Sequence, residues 1–240
     1  MSLINIKNLS VHYGRKSVLR NISLTINHGE HYVIRGESGS GKTTLAKAIA
    51  NQIKFAGDIQ ISFDAESSLP AQTHFVESWY RFTNLEGDRA FYYQQRYNHQ
   101  QKRDTITVAR ELELFGKEND LSNALLNQLL ATLKYTKVID EQLIELSSGE
   151  HKKLQLIKAL WLSPQLLIID QPYTGLDKNA RAHLNQLFSN YADQGGTLLL
   201  ISNDTELPGF ITHFATLKDG ELMQGIADTT LPKKTLNPLP

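Results

Sequence analysis

The sequence predicts an α/β fold built on a mainly parallel sheet, with an antiparallel β subdomain at its N-terminus and an inserted helical lobe. Three observations carry that expectation. Apolar residues alternate early in the chain, Ile4 and Ile6 and then Ile22, Leu24 and Ile26, the period of half-buried antiparallel strands. Residues 166–169 form an uninterrupted apolar run, which suits a strand covered on both faces of a parallel sheet, and TLLLIS at 197–202 reads as another buried strand. Over about residues 100–160 leucine recurs at three and four, in Leu121, Leu125, Leu126, Leu129, Leu130 and Leu133, which is helical spacing.

The remaining elements follow in order. HYVIR, residues 31–35, reads as a short strand running into a glycine-rich turn, and residues 44–52 read as the helix after it. Residues 181–191 read as another helix, and residues 214–223 as a hairpin around Asp219 and Gly220. The ending LPKKTLNPLP holds three of the seven prolines and reads as an extended tail over 229–240, beyond a domain spanning 1–228. No internal repeat is visible.

Composition narrows the function classes. The chain has 240 residues, 40% of them hydrophobic, enough for one large α/β domain carrying an inserted lobe. Lys plus Arg equals Asp plus Glu at 25 each, which argues against a nucleic-acid binder held by bulk charge. Without cysteine there is no thiol catalysis and no Cys-based metal site, and a cytoplasmic location fits. The opening MSLINIKNLS lacks the features of a signal peptide, and no apolar run approaches the roughly 20 residues that span a bilayer. A role at the membrane would therefore be peripheral, through a partner.

Chemistry concentrates in GESGSGKTT, where Gly36, Glu37, Ser38, Gly39, Ser40, Gly41, Lys42, Thr43 and Thr44 satisfy G-x-x-x-x-G-K-[ST] at every fixed position. This pattern resembles the P-loop, the phosphate cradle of P-loop NTPases. Glycines let backbone N–H groups converge on phosphate oxygens, and the positive end of the following helix adds to the field. Lys42 would reach the β and γ phosphates of ATP, while the Thr43 hydroxyl would ligate Mg²⁺. Asp170, at the carboxyl end of a buried strand, is the natural second metal ligand, because ligands of open parallel sheets bind at that edge.

With these residues in place, the chain resembles the nucleotide-binding domain of an ABC (ATP-binding cassette) ATPase from about residue 3 to 225. LSSGE at 146–150 resembles the family signature LSGGQ: Ser147 and Gly149 match, and Ser148 and Glu150 are tolerated variants. TGLD at 174–177, ending in Asp177, resembles the D-loop. FYYQQRYN at 91–98 resembles the glutamine loop, with Gln94 the better match for the metal-contacting residue and Gln95 the alternative. Tyr13 stands where the family places an aromatic ring against adenine. The resemblance implies that two cassettes, identical or different, close head to tail around two ATP molecules. Each ATP then lies between the Lys42 cradle of one chain and the Ser147–Gly149 backbone of the other, with transmembrane permease chains as further partners. Gly149 is expected to lead into a helix, so that its amide and the Ser147 hydroxyl meet the γ-phosphate.

Two positions depart from that pattern. Gln171 replaces the usual Glu that acts as general base or orients water, and its amide cannot accept a proton at neutral pH. Asn203 replaces a histidine that contacts the γ-phosphate. A deliberate Glu-to-Gln change, a naturally weak site and a water-orienting glutamine each account for Gln171; only the naturally weak site accounts for Asn203 as well. The catalytic set is thus Lys42, Gln171 and Asn203, with slow hydrolysis expected. A soluble tandem-type or regulatory cassette, using ATP-held dimerisation without a permease, is the alternative function. Residues 79–97 interleave aromatics with arginines, as single-strand nucleic-acid binders do, but core packing and a partner-facing surface explain them better.

Overall fold

The computed structural model describes residues 2–78, 81–83, 89–91, 106–204 and 208–226. The chain divides into two compact units, one of Met1–Phe75, Pro164–Gln171 and Phe188–Pro240, the other of Val76–Ser163 and Pro172–Leu187. Gln94, Gln95 and the tail 229–240 lie outside the described residues.

In the first unit, β1 (Ser2–Tyr13) and β2 (Lys16–Asn27) pair antiparallel, with Ile4 opposite Ile26 and Ile6 opposite Leu24. The alternation read from sequence is therefore a true inner face, and all four residues are buried. A third strand, β4 (Ala56–Ile61), completes this sheet in the order β2-β1-β4. It is hard to see in the sequence because AGDIQI lies largely exposed, leaving too few apolar residues to set a period.

The main sheet has the order β11-β10-β3-β9-β8-β5, built from β3 (Tyr32–Arg35), β5 (Thr73–Val76), β8 (Leu166–Asp170), β9 (Thr197–Ile201), β10 (His213–Lys218) and β11 (Glu221–Ile226). β10, β3, β9 and β8 run parallel. Every residue of β8 and β9 is buried, as expected of strands covered on both faces. β10 and β11 form the expected hairpin, turned through Asp219 and Gly220, both at positive φ as a two-residue loop of matching twist requires.

Helix α1 (Lys42–Ile49) starts two residues before its sequence-based position and stops three earlier, because Asn51 takes a left-handed conformation that breaks the helix. The second unit holds α2 (Val108–Glu118), α3 (Asn123–Thr132) and α4 (Ser148–Leu162), bearing out the helical lobe. Thr107 caps α2 by accepting from the Arg110 N–H. Leu126, Leu129, Leu130 and Leu133 are buried, so the leucine stripe is the lobe's own core face. The Trp161 indole donates to the Ser122 carbonyl at 2.8 Å, and the Lys158–Glu111 ion pair (2.5 Å) joins α4 to α2. His151 is buried in α4; burial pushes its imidazole down to about 4, so it stays neutral near pH 7. β6 (Arg81–Thr83) and β7 (Arg89–Phe91) pair antiparallel within the aromatic stretch. α5 (Lys178–Asp193) begins three residues before its sequence-based start, with the Asp177 carboxylate accepting the Ala180 N–H at 2.8 Å.

Candidate functional site

Three parallel neighbours, β3, β9 and β8, deliver the site at their carboxyl ends. Gly36 follows the last residue of β3, Asp170 is the last residue of β8, and Asn203 stands two residues beyond β9. Adjacent parallel strands place their ends side by side, so residues 127 and 167 apart in sequence meet.

The cradle is shaped by its glycines. A Cβ on Gly36 would lie 2.2 Å from the Leu217 carbonyl oxygen, and one on Gly41 would lie 2.9 Å from a Leu19 methyl. Both residues also have positive φ, 146° and 105°. Only glycine lets the backbone pass there. Gly41 is the cap residue of α1, so the N–H groups of Lys42, Thr43 and Thr44 have no partner within the helix and face its N-terminal end.

Lys42 Nζ donates to the carbonyls of Gly36 at 2.8 Å and Glu37 at 2.7 Å, which folds the ammonium back across the loop. Burial lowers its pKa, and the nearby Asp170 charge opposes that. The Thr43 hydroxyl donates to Asp170 Oδ2 at 2.5 Å, although the residues lie on different elements. Tyr13 is 54% exposed; among the described residues only it and Met223 are large apolar side chains left so open. A ring placed in solvent, at the end of the strand before β2, can stack on a flat ligand group.

The two departures are placed differently. Gln171 follows β8 directly, is exposed, and has a φ of 49°; its N–H donates to the Ile201 carbonyl at 2.9 Å. Asn203 Oδ1 accepts the N–H of Gly36 at 3.1 Å. Its carbonyl end thus holds the first residue of the cradle, a connection no sequence pattern signals. Asn203→Ala is accordingly expected to raise the Kd for ATP about fivefold, the cost of one neutral hydrogen bond, as measured by equilibrium dialysis. An unchanged Kd would mean that the bond does not shape the cradle.

Ser147, Gly149 and Asp177 belong to the second unit. Ser147 is the N-cap of α4, so the helix starts at Ser148 and Gly149 lies inside the first turn rather than leading into it. The correction follows from a capping box. Glu150, three residues on, bonds back to Ser147 and draws the helix start forward. Within this unit a Cβ on Gly149 would lie 2.7 Å from the Gly175 carbonyl oxygen, so the LSSGE and TGLD segments touch backbone to backbone. The Asp177 carboxylate, already bonded to the Ala180 N–H, is held below its usual range mainly by that bond.

A family profile described as ABC transporter matches residues 19–174, more than half of the chain. The chain belongs to the ABC transporter family. It is 32% identical to the zinc import ATP-binding protein ZnuC of Roseobacter denitrificans, over 85% of this chain and 70% of that protein. An uncharacterized ABC transporter ATP-binding protein of Lactococcus lactis, YmeB, is 27% identical over 98% of this chain and 91% of its own length. The macrolide export ATP-binding/permease protein MacB of Campylobacter jejuni is 25% identical, and this chain spans 34% of its length. Among solved structures, an ATP-binding subunit of an ABC transporter superposes with a TM-score of 0.72 at 23% identity, covering 94% of this chain and 90% of that one. The ATP-binding cassette MJ0796, solved as a post-hydrolysis dimer with ADP and Pi, gives 0.69 at 22%, covering 93% and 98%. The fold is that of the ABC ATPase cassette, and the ABC transporter nucleotide-binding domain is an ATP-binding ATPase. The cassette contains, among its described residues, no helix long and apolar enough to cross a membrane.

Proposed function

We propose that this cassette binds ATP with Mg²⁺ in the Lys42 cradle, closes head to tail with a second cassette around the nucleotide, and hydrolyses it slowly. The observation that carries this reading is the Thr43–Asp170 bond. It joins the end of the cradle to the end of β8 and brings together a hydroxyl and a buried carboxylate, hard oxygen donors that suit Mg²⁺. Bound there, Mg²⁺ neutralises charge on the phosphates.

The chain's own residues then divide the work. Lys42 turns its ammonium from the Gly36 and Glu37 carbonyls to the β and γ phosphates, and the first amides of α1 bind phosphate oxygens. Tyr13 stacks on the base. Asn203 keeps Gly36 in place. Gln171 orients the attacking water without taking its proton, and general-base help of about 10²- to 10⁴-fold is absent. Ser147 and Gly149 of the second cassette cover the exposed side of the triphosphate. The simplest second cassette is another copy of this chain, and the family supports coupling of the pair to transmembrane permease chains at the membrane surface.

The test is association. Sedimentation of the chain with ATP and Mg²⁺ should give a dimer that ADP does not support, with steady-state turnover well below 1 s⁻¹ against a typical enzyme value of about 10 s⁻¹. A monomer at saturating ATP would overturn the head-to-tail reading, and turnover near 10 s⁻¹ would overturn slow hydrolysis.

A further inference from the structure

The signature segment is occupied by its own side chain. Ser147 Oγ donates to Glu150 Oε2 at 2.6 Å, and the Ser147 N–H donates to the same oxygen at 2.7 Å. In return the Glu150 N–H donates to Ser147 Oγ at 3.3 Å. A serine hydroxyl has one proton, and here a carboxylate holds it. Bonds to an ionised acceptor are roughly twice as strong as neutral ones, and these bonds are the leading reason the Glu150 carboxyl sits below its usual range. The carboxylate also places a negative charge at the positive end of α4, where an incoming anion would otherwise be favoured.

We propose that Glu150 is a positioning residue that sets the ATP concentration for closure, by holding the Ser147 hydroxyl until a phosphate oxygen of the ATP on the partner copy displaces it. The inference rests on the head-to-tail reading. Closing the pair then exchanges an internal charge-assisted bond for one to phosphate, and brings a carboxylate near a triphosphate. Gly149, in the same turn, packs against the Gly175 backbone, where an added Cβ would lie 2.7 Å from the carbonyl oxygen. The exchange is made by side chains, through opening of the Ser147–Glu150 bond. A neutral glutamine at this position still accepts from the Ser147 N–H, yet releases the hydroxyl more readily and removes the charge.

The experiment uses the full chain with ATP and Mg²⁺, following dimer formation by sedimentation and nucleotide binding to the monomer by equilibrium dialysis at low protein concentration. Glu150→Gln is expected to lower the ATP midpoint for dimerisation about five- to tenfold, with monomer binding unchanged because the Lys42 cradle lies in the other unit. In a Ser147→Ala background the same substitution should give less than half of that gain, since no hydroxyl remains to be released. A midpoint that is unchanged or raised in a normally melting Glu150→Gln variant overturns the inference alone, as does a gain of equal size in the Ser147→Ala background. Failure of wild type and every variant to associate with ATP overturns the head-to-tail reading and takes this inference with it.

Discussion

Gln171→Glu is expected to raise ATP turnover at least tenfold, measured as steady-state phosphate release, with little change in KM. The two side chains have the same shape, and both meet the same backbone demand at a φ of 49°, so the substitution adds no strain that glutamine does not already bear. What changes is the ability to accept a proton from the attacking water. General-base assistance is worth about 10²- to 10⁴-fold where geometry is right. The expectation is set about tenfold below the bottom of that range because Asn203, bonded through its carbonyl oxygen to Gly36, cannot carry the charge of a histidine. Unchanged turnover would mean that proton acceptance at this position is not limiting, and would remove Gln171 as the cause of slow hydrolysis.

Lys42→Ala is expected to weaken ATP binding about 100-fold or more, read by equilibrium dialysis with Mg²⁺. The ammonium is the cationic side chain bonded into the cradle, held within it by the Gly36 and Glu37 carbonyls. Hydrogen bonds to charged groups contribute about 1.5–3 kcal/mol each, and two of them lost to phosphate correspond to a 100-fold change or larger. The apo fold should survive, because Gly36 and Glu37 lie at an accessible loop whose carbonyls water can satisfy. Comparable melting temperatures with lost binding would therefore be the expected pair of results. Wild-type affinity in the variant would remove the cradle as the nucleotide site.

Much of this molecule was legible before any coordinates. The two apolar runs identified β8 and β9 because a strand covered on both faces is apolar through its middle, with polar residues only at its ends, Asp170 in β8 and Thr197 in β9. The cradle was legible because a phosphate turn needs glycine at fixed offsets, and those offsets are local. The capping box was also written in the sequence, as Ser147 followed three residues later by Glu150. Its consequence, a carboxylate holding the Ser147 hydroxyl, is not visible in a family pattern that simply tolerates Glu150.

By itself the sequence determined what depends on neighbours along the chain: the strand and helix types, the turn chemistry of Gly36–Thr44 and the Asp219-Gly220 hairpin, and the absence of a carboxylate at Gln171. Only the tertiary structure decided the pairings across the sheet, Thr43 with Asp170 and Asn203 with Gly36. Those bonds span 127 and 167 residues, and a distance of that kind is set by strand order, which no local periodicity encodes.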